Sequence, residues 1–237
     1  MQASGVTVQA RLIEEQIAWR VAQALEEGWY VNLGIGIPLH VVNHIPFHQE
    51  VVLHSENGIL GMGMRAPKGD EDPDLVNAGK EPVTLRPGGC FFSQAESFAM
   101  IRGGHIDVAV MGALQVSEKG DLANWLIPGR ELGNIGGAMD LAAGARQVWV
   151  AMEHCTKDGQ PKIVKGCTYP LTAPGCVKMI FTDIAVIQIT EKGLFLLEVA
   201  PGWSFEGVQK FTEARLFSDQ PVKVMDLNGA PQGSSSS

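Results

Sequence analysis

A chain of 237 residues with 45% hydrophobic and 19% charged residues can bury a full core as one α/β domain, and its composition excludes a disordered protein. With 18 Lys and Arg against 26 Asp and Glu, a net charge of −8 and no basic run, nucleic acid is excluded as the main partner. No apolar run reaches the ~18 residues of a membrane span and no signal-type leader opens the chain, so a cytoplasmic protein with no membrane partner is expected.

In chain order, apolar residues Ile13, Ile17, Val21, Ala24 and Leu25 recur at helical spacing, which predicts an amphipathic helix over 9–27 closed by Gly28. Tyr30 to Leu33 reads as a strand, then Gly34-Ile35-Gly36-Ile37-Pro38 leads into a helix carrying Leu39, Val42 and Ile45. This strand–glycine–helix order suggests a dinucleotide fold, but Leu39 stands where the third glycine of that motif belongs and no acidic ribose clamp follows. Val51 to Leu53 is continuously apolar, the pattern of a strand buried on both faces. It runs into Ser55-Glu56-Asn57-Gly58, a sharp turn at the strand's carboxyl end.

An acidic loop at 65–74 leads to a strand at Val83 to Leu85 and a turn at Pro87-Gly88-Gly89. Ser93 with Glu96 three residues on is a capping box for a helix reaching Ile101. Strands follow at 107–111, 147–152 and 177–181, separated by a long glycine-punctuated stretch, 112–137. A hairpin over 184–190 and 194–199 turns at Glu191-Lys192-Gly193, and a last helix spans 204–213. Parallel-type strands early and a hairpin late predict an α/β fold: an open, twisted, mostly parallel sheet flanked by helices. One domain over 8–218 is expected, with flexible termini at 1–7 and 229–237.

Four cysteines, Cys90, Cys155, Cys167 and Cys176, are scattered without a CxxC pair. They fit buried thiols in a reducing compartment, and neither a disulfide framework nor a zinc site. Glu56 on a turn is compatible with a solvated side chain, a general base, a nucleophile or a metal ligand; no second carboxylate or histidine at ligand spacing supports metal, and His54 and His154 read as structural. Chemistry at Glu56 would need amide donors for developing oxyanion charge. The segments 32–36 and 136–140 could supply them, although each taken alone reads more simply as a plain tight turn.

Taken together, HSENGILGMG (54–63), VNLGIGIP (31–38) and VNAGK (76–80) resemble the β subunit of class I coenzyme A transferases. FAMIRGGHID, GDLANWLIPG, IGGAMDLAAGAR, AMEHCTKDG and CTYPLTAPGCV continue the resemblance in order, over about 9–216. It is nearest to the 3-oxoacid enzymes of the succinyl-CoA:acetoacetate type, with 3-oxoadipate enzymes close behind. The resemblance implies a three-layer fold of the NagB/RpiA kind. It also implies Glu56 as nucleophile, Asn32 beside the reacting carboxylate, the Gly137 N–H in an oxyanion hole, and Lys80 by the CoA. Gly34, Gly36 and Gly136 would then line the substrate.

It further implies ping-pong transfer through a glutamyl-CoA thioester, with coenzyme A as substrate and no cofactor, and an α subunit in an α2β2 heterotetramer. Met64-Arg65 and Asn134-Ile135 depart from the common pattern in loop shape. Ala123 to Gly129 lean toward the acetoacetate enzymes, whereas Cys167 to Pro170 and Phe181 to Asp183 lean toward the 3-oxoadipate enzymes. An acyl-CoA hydrolase of the same fold and a non-catalytic regulatory subunit are the competing readings; intact Glu56 and Gly137 argue against the second.

Overall fold

The computed structural model describes residues 10–46, 48–129, 133 and 135–232. The expected flexible segment 1–7, most of 229–237 and the departure at Asn134 lie outside them.

The first half of the chain supplies α1 (Glu14–Ala22), β1 (Tyr30–Leu33), α2 (Ile37–His40), a 3-10 turn (Val41–His44), β2 (Val52–Ser55), β3 (Ile59–Arg65), β4 (Val83–Phe91), α3 (Gln94–Arg102) and β5 (Val108–Met111). Then come β6 (Gln115–Ser117), β7 (Leu122–Ala123), α4 (Ala138–Gly144), β8 (Gln147–Met152), β9 (Ile163–Val164) and β10 (Val177–Thr182). The chain closes with β11 (Ala185–Thr190), β12 (Gly193–Val199), α5 (Phe205–Lys210), β13 (Leu216–Phe217) and β14 (Lys223–Val224).

One large sheet runs in the order β13-β12-β11-β10-β8-β5-β1-β2-β3-β4, with β14 also paired to β12. Its centre, from β10 to β2, is parallel. Both flanks are antiparallel, through β3 and β4 on one side and β11 and β12 on the other. Every residue of β5 is buried, as are Val148 to Met152 of β8, because helices cover the centre of the sheet. α1 packs with α2 and the 3-10 turn, and α3 packs with α4, giving the three-layer α/β architecture.

Helix α1 is shorter than its apolar pattern. The Leu12 N–H donates to the Asp183 carbonyl at 2.9 Å and holds the entering chain extended. Beyond Ala22 a turn delivers Leu25 to the same core, where it is 4% exposed, so the periodicity outlasts the helix. Arg20, on the other face, forks onto Glu198 of β12 at 2.8 and 2.7 Å. Helix α5 is also shorter than expected: Ser204 caps it by accepting the Gly207 N–H at 3.1 Å.

Pro87-Gly88-Gly89, expected as a turn, lies inside β4. The β3–β4 ladder shifts register between Leu60 and Met62, and a Cβ on Gly61 would lie only 2.8 Å from the Gly89 Cα. Glycines at this crossing let the two backbones touch within a bulged, bent ladder. The glycine-punctuated stretch after β5 contributes two strands to a small sheet, β7-β6-β9, too short to show a period in sequence. Past 218, β14 joins the main sheet and the Pro231 carbonyl accepts from Gln16 at 3.1 Å. Cys90 is exposed, contrary to the expectation of buried thiols, whereas Cys155 is buried and Cys167 and Cys176 are half-buried.

His154 joins several elements at the end of β8. It is fully buried, its ring nitrogens lie 2.9 Å from the Thr182 and Thr212 hydroxyls, and its N–H donates to Asp183 at 2.6 Å. Arg11 closes the group through a 2.7 Å ion pair with Asp183. Burial pushes the His154 imidazole down to about 4, from 6.5. Its folded state therefore refuses a proton that the unfolded chain accepts. The stability is fully present above 6.5 and is lost as pH falls toward 4, by roughly 3 kcal/mol. Urea midpoints at about pH 7.5 and about pH 5 should drop for the wild type and drop less for His154→Gln. Equal drops would remove His154 from the acid-sensitive groups.

Candidate active site

β1 is the place where the sheet order changes direction: β2 lies on one side of it and β5 on the other. In open α/β sheets the crevice at the carboxyl ends of such strands holds ligands. Three segments leave the sheet there: Gly34-Ile35-Gly36 after β1, Glu56-Asn57-Gly58 after β2 and Gly112 after β5.

The β1–β2 register pairs Asn32 with His54, which sets the two side chains beside each other in a parallel ladder. Asn32 is 1% exposed, and its Nδ2 donates to the Glu56 Oε2 at 3.2 Å. The same nitrogen lies 3.2 Å from the His54 carbonyl and 3.1 Å from the His54 Nδ1. Glu56 is half-buried, so its carboxylate has one face on the protein and one on the cleft.

The turn that carries Glu56 is built from both sides. Gly58 has φ +117° and a Cβ there would overlap the Phe92 carbonyl, while its own carbonyl accepts the Phe92 N–H at 3.0 Å. Ser55 and Asn57, the neighbours of Glu56, tie down the 76–80 segment: the Ser55 Oγ accepts the Ala78 N–H at 3.0 Å, and Asn57 donates to the Val76 carbonyl at 2.7 Å. Lys80 is exposed on that segment and has φ 63°. Its left-handed backbone is held by its N–H donating to the Asn77 carbonyl at 2.9 Å. A Cβ on Gly79 would lie 3.7 Å from Ile35, so this turn abuts the Gly34–Gly36 segment.

Gly137 approaches from the far side. A Cβ there would lie 3.1 Å from the Phe98 ring, a tight approach, and 3.7 Å from the Glu56 Cγ, an ordinary contact, so a side chain at 137 would be pressed against Phe98 beside Glu56. Gly136 beside it has φ 46° and is exposed. The fold thus places Asn32 in contact with Glu56 and Gly137 close by, with Gly34, Gly36 and Gly136 on flanking turns. Lys80 is linked to them through the Ser55 and Asn57 tethers.

Ser97 and Phe98 were not singled out in sequence, and His54 read there only as a structural histidine. His54 is hidden in an apolar strand, and Ser97 shows itself in sequence only as the residue four before Ile101 on the inward face of α3. Among the described residues no cluster of His, Cys, Asp or Glu could hold a metal ion, and no helix is long and apolar enough to cross a membrane. A groove of about 690 Å³ lies elsewhere, along β11 and β12 between Phe195, Leu197 and Asp219.

Residues 14–210 match the coenzyme A transferase family. The chain belongs to that family. It is 50% identical over 207 residues to the B subunit of the 3-oxoadipate CoA-transferase of Acinetobacter baylyi, covering 87% of this chain and 95% of that one. It is 49% identical over 202 residues to the B subunit of the succinyl-CoA:3-ketoacid coenzyme A transferase of Helicobacter pylori, covering 85% and 97%. These near-full-length matches make it a B-type chain of the family. In fold it is similar to an acyl-CoA transferase from E. coli O157:H7 in a thioester complex with CoA (TM-score 0.70, 18% identity), covering 93% of this chain and 44% of that one.

The turn at Gly58 is the structural requirement of this site that a single methyl tests. Gly58→Ala combines steric overlap with a positive φ and should cost more than about 3 kcal/mol. Gly36→Ala meets no atom within 4 Å, but at φ +85°, ψ −139° it carries backbone strain alone and should cost about 1–3 kcal/mol. Urea titrations of both variants check the contrast; equal costs would contradict the packing described at Phe92.

Proposed function

We propose that this chain is the β subunit of a 3-oxoacid CoA-transferase, in which Glu56 carries CoA between an acyl-CoA such as succinyl-CoA and a 3-oxo acid such as acetoacetate. The observation that carries the reading is the half-buried Glu56 carboxylate held at 3.2 Å by the buried Asn32 amide, with the glycine turn at Gly137 close beside it.

A Glu56 oxygen attacks the thioester carbonyl carbon, the C–S bond breaks, and CoA thiolate leaves an acyl-glutamyl anhydride. The thiolate then attacks the glutamyl carbonyl; the C–O bond breaks and the donor acid departs as its carboxylate, leaving a glutamyl-CoA thioester. The acceptor carboxylate runs the same steps in reverse, so the kinetics are ping-pong. Asn32 Nδ2 and the Gly137 N–H stabilise the oxyanion that forms at each attack. Lys80 holds the CoA, and the remote parts of CoA supply binding energy used at the reacting carbonyl. CoA enters and leaves as a substrate, so no resident cofactor is required. Water must be excluded, because hydrolysis of either intermediate ends the cycle.

The cleft is completed by an α subunit, in an α2β2 assembly working in the cytoplasm. Ile35 is 69% and Met139 46% exposed on the segments beside Glu56, apolar surface that a partner chain would cover. A 3-oxoadipate acceptor is the second reading, supported by a relative of that type being as similar as the 3-ketoacid one. In the complex co-expressed with its α subunit, an acceptor panel should show parallel reciprocal plots and fastest turnover with acetoacetate. Glu56→Ala should lose at least about 1000-fold in kcat. Preference for 3-oxoadipate would move the substrate assignment to the second reading, and steady CoA release without any acceptor would indicate a hydrolase.

A further inference from the structure

We infer that His54 and Ser97 are positioning residues for the reaction: the Ser97 hydroxyl selects one tautomer of His54, and that tautomer keeps the amide end of Asn32 turned toward Glu56. The inference rests on the reading of Glu56 as the nucleophile.

Asn32 Nδ2 lies within 3.2 Å of the Glu56 carboxylate and the His54 carbonyl, neither of which can donate when the carboxylate is ionised. The NH2 end must face them, since a flipped amide would set its oxygen against both. His54 Nδ1, 3.1 Å from that NH2 group, must then present its lone pair. A neutral imidazole with a bare Nδ1 carries its proton on Nε2, which is 2.9 Å from the Ser97 Oγ. The hydroxyl therefore accepts from Nε2–H, and in the row from Ser97 to Glu56 the two Asn32 N–H bonds are shared among three acceptors, the Glu56 carboxylate, the His54 carbonyl and His54 Nδ1.

Three further observations fit this direction. Ser97 is fully buried and His54 1% exposed, so water does not compete for either ring nitrogen. Burial pushes the His54 imidazole down to about 4, which keeps the ring neutral near pH 7. The Asn32 Oδ1 is buried with no hydrogen-bond partner among the described residues, a cost of about 1–3 kcal/mol. The site tolerates that cost to keep the donor end on Glu56. The opposite tautomer would aim Nδ1–H at the NH2 group, favour the flipped amide and turn a carbonyl dipole on the carboxylate.

The frame around the row is rigid. The Phe92 ring stacks on His54 with centroids 6.0 Å apart and planes 18° apart. Ser97 sits in the first turn of α3, whose capping box of Ser93 and Glu96 fixes where the helix begins. The next residue, Phe98, is the one that meets Gly137. Adjacent residues of one helix thus support both sides of the Glu56 carboxylate.

The test uses the complex with its α subunit. In the wild type, 15N NMR of labelled histidine, assigned with His54→Gln, should show His54 neutral near pH 7 with Nε2 protonated and Nδ1 bare; a proton on Nδ1 overturns the inference. Ser97→Ala should lower kcat about 10-fold with KM for the acyl-CoA unchanged, and Ser97→Thr, which keeps the hydroxyl, should restore it. If Ser97→Ala keeps wild-type kcat, or lowers it only in step with thermal stability, Ser97 is structural and the inference falls. The Glu56 reading is judged separately, by the burst of donor acid that acyl-CoA alone releases. A burst that survives Glu56→Ala sinks that reading, while the tautomer measurement still decides the row.

Discussion

The parallel register of β1 on β2 is the constraint on which the site depends. It pairs Asn32 with His54 two residues before the chain turns at Glu56. Residues paired across neighbouring parallel strands share a face, and a slip of one residue would send Asn32 to the layer opposite His54. The pairing therefore has to be specified strongly, and the sheet does so by burying Val31 and Leu33 on one strand and Leu53 on the other. A polar pair is set into this apolar frame where the strands end and backbone pairing gives way to turns. That is the one place in a parallel sheet where side chains and backbone can both reach a ligand.

Around that register, positions are set by absent atoms as much as by contacts. Gly58 leaves room for the Phe92 carbonyl, and Gly137 leaves room for the Phe98 ring beside Glu56. The same turn holds the 76–80 segment through Ser55 and Asn57, so the placement of Glu56 and the backbone of Lys80 are mechanically linked. A nucleophile that attacks a thioester needs its carboxylate fixed but still partly wet, since full burial would favour the protonated, unreactive form. Glu56 is half-buried, with the Asn32 amide at 3.2 Å on one oxygen.

Much of this was legible in sequence where a local rule decides. Continuous apolar runs marked β5 and β8, Glu191-Lys192-Gly193 marked the late hairpin, and Ser93 with Glu96 marked the start of α3. The rules failed where tertiary contacts override local pattern. Leu25 kept helical spacing beyond the end of α1, and Pro87-Gly88-Gly89 read as a turn because their strand role depends on Gly61 across the ladder. The candidate site was legible as motifs around Asn32, Glu56, Lys80 and Gly137, but its geometry was not. Gly137 comes close to Glu56 from 81 positions further along the chain, and the part played by Ser97 is visible only once α3 lies against β2.

A covalent bond at one side chain decides the mechanism. The complex with its α subunit would be incubated with acyl-CoA alone, treated with borohydride, digested and mapped by mass spectrometry. Modification is predicted on the peptide containing Glu56, at the carboxyl of that residue, and to disappear when an acceptor acid is added before the reductant. An unmodified Glu56 in a complex that is active in transfer, or modification at another carboxylate, would contradict the nucleophile's role.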